Sequence, residues 1–243
     1  MDSMTAIAAS GLRARMESLD LLANNIANTS TGGYKADREF YTLYIAPEAA
    51  DNAPAATMPL IERQWIDLSQ GSVHPTGNPL DLALSGTGFF TVRGPGGPLY
   101  TRNGSFRLAP DGKLITPDGY PVLDSTGQAL TLNSAGPVEI SKDGAVQQNG
   151  NTLGRIALAD FADPAGLAKQ GGNYFVAGPA VKPAAAAKTS VEQGKLEDSN
   201  AGAADGAVRL VGVMRQFEMM QKAVLIGSEM SKEAIEQVAK VGP

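Results

Sequence analysis

The sequence predicts an α+β protein: long N- and C-terminal helices paired in coiled-coil fashion, plus a central all-β domain of short antiparallel strands. Three observations carry this expectation. Apolar residues recur every seven positions near both ends, the middle of the chain switches to a period of two, and glycine following asparagine or aspartate punctuates that middle repeatedly. At 243 residues the chain has room for one or two domains.

The first element is a helix over residues 4 to 28. Thr5, Leu12, Leu19 and Ile26 recur every seven, Ala8 and Leu22 fill the intermediate positions, Arg15 breaks the pattern, and Met16 and Ala23 broaden the stripe. This helix ends among Asn24, Asn25 and Asn28, followed by Thr-Ser-Thr-Gly-Gly. Two readings of those amides stand: polar contacts across an interface packed from several sides, or solvent-facing amides that fray the helix end. The last element starts near residue 205. Leu210, Phe217, Val224, Ser231 and Val238 recur every seven, with Val213, Met220, Gly227, Ala234 and Val241 three residues after each, which makes a full a/d seam. Gly227, Ser231 and Ala234 are small enough to admit another helix closely. Asp205, or Ser199 with Asn200, is the candidate cap of its start.

Between the helices the pattern is that of strands. In NPLDLALSGTGFFTV, Leu80, Leu82 and Leu84 alternate with Asp81, Ala83 and Ser85, and Gly86 and Gly88 read as a hairpin turn into FFTV. Asn103-Gly104, Asp111-Gly112, Asp118-Gly119 and Asp143-Gly144 read as type I′ turns, so the region is expected to be a β meander. GRIALADF and NYFVAG supply two more strands, separated by a turn at DPAG. Residues 46–59 and 177–188, rich in alanine and proline, read as exposed connectors. The expected organisation is an N-terminal assembly helix at 1–34, a connector at 35–69, a β domain at 70–198 and a C-terminal assembly helix at 199–243.

Composition excludes several function classes. Twenty lysines and arginines stand against 25 aspartates and glutamates, and no basic run exceeds two residues, so the footprint of a nucleic-acid binder is missing. Without cysteine there is no disulfide, thiolate nucleophile or Cys-ligated metal. The polar start MDSMTAIAASG lacks the apolar core of a secretory signal, and no run of eighteen apolar residues exists to span a membrane. The single histidine, His74, sits among turn residues and has no second histidine to join it in a metal site or triad. GTGFFT resembles part of a dinucleotide fingerprint, but a strand follows where a helix N-terminus is needed. Asp111, Asp118 and Asp143 each precede glycine, where the turn explains them, and Ser85 and Ser105 lack a nucleophile elbow. Trp65, Tyr100, Tyr120 and Tyr174 leave open a sugar-binding face, the basis of the alternative reading as a β-rich carbohydrate or surface-binding module on a dimerising stalk. No catalytic, cofactor or metal residue is assigned.

The stretch AASGLRARMESLDLLANNIANTSTGGYKADREFY resembles the N-terminal signature of flagellar axial proteins of the basal-body rod family: an amphipathic helix, an A-N-N-x-A-N segment at Ala23 to Asn28, and a turn at Gly32, Gly33, Tyr34 and Lys35. GNPLDLALSGTGFFTV with YTRNGSFRLAPDGKLITPDGYPVL is similar to the β domain of that family, and KLEDSNAGAADGAVRLVGVMRQFEMMQKAV to its return into the C-terminal helix. The opening MDSMTAIAASG and the short segment before the β domain resemble the proximal-rod branch more than the distal-rod branch. The resemblance implies a structural subunit of the periplasmic rod, without cofactor, exported by the flagellum's type III apparatus and associating with itself and with other rod proteins. The subunit interface is then expected at Leu12, Leu19, Leu22, Asn25, Ile26, Asn28, Leu210, Val213, Phe217, Met220 and Val224.

Overall fold

The computed structural model describes residues 3–45, 57–133, 136–171 and 173–241. Most of the 46–59 connector, and the side chains of Thr5, Ala8, Ser231, Ala234, Val238 and Val241, lie outside the described residues. The chain is α+β, with an N-terminal helix α1 (Ser3–Ala27), a C-terminal helix α2 (Ala203–Val241) and a β-rich region between them. It divides into two compact units. One holds residues 1–27, 37–65 and 202–243, the other residues 28–36 and 66–201, so the chain passes between them four times.

In the first unit, β1 (Asp37–Ile45) and β2 (Thr57–Ile66) form a two-stranded ribbon inside what the sequence suggests is a connector. The aromatic and β-branched residues of DREFYTLYI and TMPLIERQWI favour strands once a partner is present. The most buried line of α1 runs through Gly11, Ala14, Ser18, Leu22 and Asn25, with Leu12, Leu19 and Ile26 half-buried beside it. Small side chains let neighbouring elements approach that line closely, and Ser18 Oγ donates to Glu39 Oε1 at 2.6 Å. Helices α1 and α2 touch. At one point a Cβ on Gly206 would come within 2.9 Å of the Ile26 side chain. Along α2 the positions Leu210, Val213, Phe217, Met220, Val224 and Gly227 are half-buried while the residues between them are exposed. The expected caps do not form. The first helical bond runs from Gly206 N to Gly202 O, which makes Gly202 the cap residue, while Asn200 is engaged elsewhere and Asp205 stands 3.6 Å from Arg209.

In the second unit a six-stranded sheet is the backbone of the packing. Its order is β13 (Leu167–Lys169), β14 (Tyr174–Ala177), β6 (Gly97–Thr101), β5 (Phe89–Gly94), β12 (Leu158–Asp160) and β15 (Ala184–Ala185). Alternation along these strands sends Phe90, Val92, Leu99 and Tyr174 into one apolar core and Phe89, Tyr100, Phe175 and Ala159 into another, on opposite faces of the sheet. Both cores are stitched by edge-to-face ring pairs such as Phe90 with Phe106 at 5.1 Å and Phe89 with Phe175 at 5.5 Å.

The strand order corrects the meander. The strands in GRIALADF and NYFVAG exist as β12 and β14 but pair with β5 and β6, and DPAG is a 3-10 turn capped by Asp163. Likewise β4 (Leu82–Ser85) pairs with β16 (Ser190–Gln193), in a different sheet from β5, so the glycines of GTG carry the chain between sheets and make no hairpin. The turns are corrected too. At Asp111, Asp118 and Asp143 only the following glycine has positive φ, and its N–H closes onto the carbonyl three residues earlier, at 2.9 Å in each case. These are type I turns ending in a left-handed glycine. Asn103-Gly104 makes no type I′ turn, since neither residue has positive φ; Gly104 is required by close approach, because a Cβ there would lie 1.7 Å from the Leu82 carbonyl oxygen. The type I′ hairpin lies at Asn149-Gly150, with φ of 52° and 79°, joining β10 (Ala145–Gln148) to β11 (Asn151–Arg155).

The core and the edge differ in what they tolerate. Phe90→Ala, at a site with no exposure, is expected to cost about 3 to 5 kcal/mol, whereas Leu153→Ala on the exposed β11 edge should stay within about 0.5 kcal/mol. Denaturant melts of the two variants check this.

Candidate functional site

After α1 the chain enters the second unit at residues 28–36, and its glycine pair is placed by a close approach. Gly33 has φ of +66°, and a Cβ there would sit 2.3 Å from the Asn103 nitrogen, so only glycine fits; Gly32 is less crowded. Gly33 N donates to Glu197 O at 2.8 Å, and Asn173 Nδ2 donates to Gly32 O at 2.8 Å. Tyr34 is buried, with Lys169 Nζ held 4.2 Å above its ring and donating to Lys35 O at 2.6 Å.

Next to it lies a knot of buried charge. Lys35 Nζ donates to Glu197 Oε1 at 2.5 Å and to Ser69 O at 2.6 Å. The same Glu197 oxygen accepts from Gly71 N at 3.0 Å, and Oε2 lies 3.4 Å from Arg102 NH1. Arg102 NH2 donates to Gly86 O at 2.6 Å, and its guanidinium lies 5.0 Å from the centre of the Phe89 ring. Lys35 and Glu197 side chains have no exposure and Arg102 has 2%. Burial lowers the pKa of both cations from their ordinary values, and the Glu197 carboxylate opposes that shift in each. Asn200 completes the knot: its Oδ1 accepts from Ala36 N at 2.7 Å, and its Nδ2 donates to Asp67 O at 2.7 Å and Ser69 O at 3.0 Å. Segments 31–36, 67–71 and 197–200 are thereby bound to one another, within a few residues of all four passages between the units.

The other predicted features fall elsewhere. Asn25 Nδ2 donates to Asp37 O at 2.8 Å and its Oδ1 accepts from Asp37 N at 2.9 Å, so this amide pins the first residue of β1 within the chain. Asn28 Oδ1 accepts from Thr31 Oγ1 at 3.1 Å, and Asn24 is exposed. Leu22 is buried; Leu12, Leu19, Ile26, Leu210, Val213, Phe217, Met220 and Val224 are half-buried. His74 Nδ1 stands 3.1 Å from Asp198 Oδ1. The turn aspartates do not converge: Asp111 meets Lys113, Asp143 meets Ser141 and Arg155, and Asp118 accepts from Tyr174 OH at 2.7 Å. Of the four aromatics that suggested a sugar-binding face, Tyr100 and Tyr174 are buried, Tyr120 packs edge-on against Tyr174 at 5.2 Å, and Trp65 is exposed. Among the described residues no group of His, Cys, Asp and Glu is placed to hold a metal, and no helix is long and apolar enough to cross a membrane.

Sequence reasoning missed Lys35, Arg102, Glu197 and Asn200 as a set. Their signal is faint: Arg102 in YTRNGS and Glu197 and Asn200 in KLEDSN stand among other polar residues that look no different, and Lys35 is 162 positions from Glu197. The knot holds two cations against one carboxylate, which orders the effects of breaking it. Glu197→Gln strands two buried cations and is expected to cost at least about 3 to 5 kcal/mol, whereas Lys35→Met leaves Arg102 facing Glu197 and should cost clearly less. Urea titration of the two variants tests that ranking; equal losses would contradict it.

Comparison with known proteins gives three matched stretches. Residues 6–35 match the family of flagella basal body rod proteins, residues 83–148 the D1 domain of flagellar hook proteins FlgE, FlgF and FlgG, and residues 192–237 the C-terminal region of flagellar basal body rod FlgEFG proteins. Lys35, Arg102 and Glu197 come one from each match. The chain is 32% identical to the flagellar basal-body rod protein FlgF of Caulobacter vibrioides over 99% of its own length and 100% of that protein's. It is also 32% identical to FlgG of Agrobacterium fabrum, over 93% of this chain and 95% of that one, and 33% identical to FlgF of Rhizobium meliloti, over 87% and 88%. A polar knot without catalytic groups, drawn from all three matched segments, accords with these relatives, and the chain belongs to the flagellar basal-body rod proteins of the FlgF and FlgG type, structural components of the rod.

Proposed function

We propose that this chain is a FlgF-like subunit of the proximal rod that polymerises through its terminal helices, α1 and α2 pairing in coiled-coil fashion and meeting the same helices of neighbouring subunits to build the axial drive shaft. The observation that carries this reading is the distribution of apolar residues around α2. One side bears the half-buried seam from Leu210 to Val224. At 100° per residue, Val208, Met219, Ile226 and Met230 lie roughly 150° from that seam, and all four are exposed, by 58 to 73%. A helix apolar on opposite sides needs partners on both, and α1 can supply only one.

Leu12, Leu19, Ile26, Leu210, Val213, Phe217, Met220 and Val224 then keep part of their surface for neighbours, while Leu22 and Asn25, already buried, support that surface from behind. Asn28 stands at the end of the helix where the subunit contact closes. The partners are other copies of the chain and rod proteins of the FlgG, FlgC and FlgB type, with export through the flagellar type III apparatus. The assembly helices at 1–34 and 199–243 and the β domain at 70–198 divide the work between polymerisation and decoration of the outside. A head-to-tail contact between unlike patches generates a helical stack of this kind. The FlgG relative, at the same 32% identity as the first FlgF, keeps the distal rod as a second reading. Mass spectrometry of purified hook-basal bodies separates the two, because a distal-rod subunit is expected in several-fold excess over its rod neighbours.

The exposed stripe gives a clean variant. Val208→Asp with Ile226→Asp changes residues that bury little in the single chain, so its stability should move by no more than about 0.5 kcal/mol per site. In cells that carry only this variant, hook-basal bodies should lack the subunit and motility should be lost. Normal rods built from it would overturn the assembly surface.

A further inference from the structure

The chain carries two Asn-Gly pairs, Asn103-Gly104 and Asn149-Gly150, and the fold treats them oppositely. Such a pair can cyclise, because glycine has no side chain to hinder the approach of its backbone nitrogen to the asparagine amide carbon. The reaction needs a side-chain amide free to turn, a following peptide group free to rotate, and water. At Asn103 the fold withholds the first two. Its Oδ1 accepts from Ser105 N at 3.0 Å, and its own N donates to Thr101 Oγ1 at 3.0 Å. Gly104 is buried, its carbonyl accepts from Leu82 N at 3.0 Å and Phe106 N at 2.9 Å, and a Cβ on it would lie 1.7 Å from Leu82 O. The peptide group between the two residues is therefore fixed from both sides. Asn149 and Gly150 are both exposed, at the tip of the hairpin that joins β10 to β11. No hydrogen bond holds the Asn149 amide among the described residues, and a Cβ on Gly150 would meet nothing within 4 Å. Gly136 keeps the space beside that amide open, since a Cβ there would come within 2.7 Å of Asn149 Oδ1.

We propose that Asn149 is a site of spontaneous deamidation in the folded chain, while Asn103 is protected by its packing. Gly150 N attacks Asn149 Cγ, the Cγ–Nδ2 bond breaks, and ammonia leaves with the proton that Gly150 N gives up. The cyclic imide then takes up one water. Breaking its Cγ–N bond gives aspartate, and breaking its bond to the Asn149 main-chain carbonyl carbon gives isoaspartate. Either product adds one negative charge at the hairpin tip. Aspartate tolerates the positive φ of 52° and keeps the hairpin. Isoaspartate routes the main chain through the side-chain carbon, which lengthens the turn and releases the pairing of Gln148 with Asn151. The step needs no enzyme and runs one way, so its extent records the age of a subunit. It belongs to the second unit alone and does not depend on how the helices assemble.

The full chain is incubated in mildly alkaline buffer, with and without urea, and both pairs are followed by peptide mapping with electron-transfer fragmentation, which separates isoaspartate from aspartate. In urea the two pairs should convert at similar rates. In the folded chain Asn149 should convert roughly tenfold faster than Asn103 or more, mainly to isoaspartate, with oxygen-18 taken up from labelled water. Equal rates in the folded chain, a rate difference that persists unchanged in urea, or an Asn149 that stays an amide while the urea-unfolded chain converts would each overturn the proposal. Hydrogen exchange along β11 reads the consequence. It should quicken in the aged chain and not in Asn149→Asp, which carries the charge without the longer main chain. Equal exchange in the two would overturn the isoaspartate route.

Discussion

The carboxylate of Glu197, shared by Lys35 and Arg102 without access to water, is the interaction on which the rest of the β-rich unit depends. Burying three charges is unfavourable compared with burying apolar groups of the same shape. What such a cluster provides is discrimination. An apolar side chain tolerates many neighbours, whereas Lys35 is satisfied only where the Ser69 carbonyl and Glu197 coincide, and Glu197 only where Gly71 N–H and both cations converge. Three segments far apart in the chain therefore have one relative placement that leaves the fewest polar groups unmatched. Gly33 adds a steric condition to the electrostatic one, because any side chain there would collide with the Arg102-Asn103 backbone.

That discrimination sits where the chain most needs it. Four passages link the two units, and the segments that flank them are tied to one another inside the β-rich unit. A subunit whose terminal helices are taken up by neighbours would pull on those passages, and hydrogen bonds to charged groups resist such a pull better than apolar contacts that can slide. The three family matches cover separate stretches of sequence, yet each contributes one charged residue to the same buried cluster. The segments that look modular in sequence are thus interdependent in three dimensions.

The helices and the general β character were legible because they rest on local periodicity: the seam at Leu210, Val213, Phe217, Met220 and Val224 shows in its spacing alone. Strand order was not. Pairing of β4 with β16 joins residues a hundred positions apart, and no local signal specifies it. The turns failed for a narrower reason. Asp-Gly fits both a type I′ turn and a type I turn closed by a left-handed glycine, and the proline before Asp111 and Asp118 fixes the residue ahead of the aspartate at negative φ, which decides for the second. Proline is not the whole account, because Asp143-Gly144 follows Lys142 and makes the same type I turn, whereas Asn149-Gly150 makes the tighter hairpin. The knot was illegible because a buried lysine and an exposed one are the same letter.

The asparagines have a physical account that unites the helix end with the knot. Asn25 pairs both faces of its amide with the backbone of Asp37, and Asn200 does the same with Ala36, Asp67 and Ser69. Each meets the main chain at the start of β1, Asn25 at Asp37 and Asn200 at the preceding Ala36. A carboxylate could accept there but not donate, an ammonium could donate but not accept, and either would bring charge to a crowded place. The amide is the side chain that reproduces a peptide bond, so the main chain can change direction without leaving buried N–H and C=O groups unpaired. The asparagines at these two positions are therefore set by the chain's own connectivity.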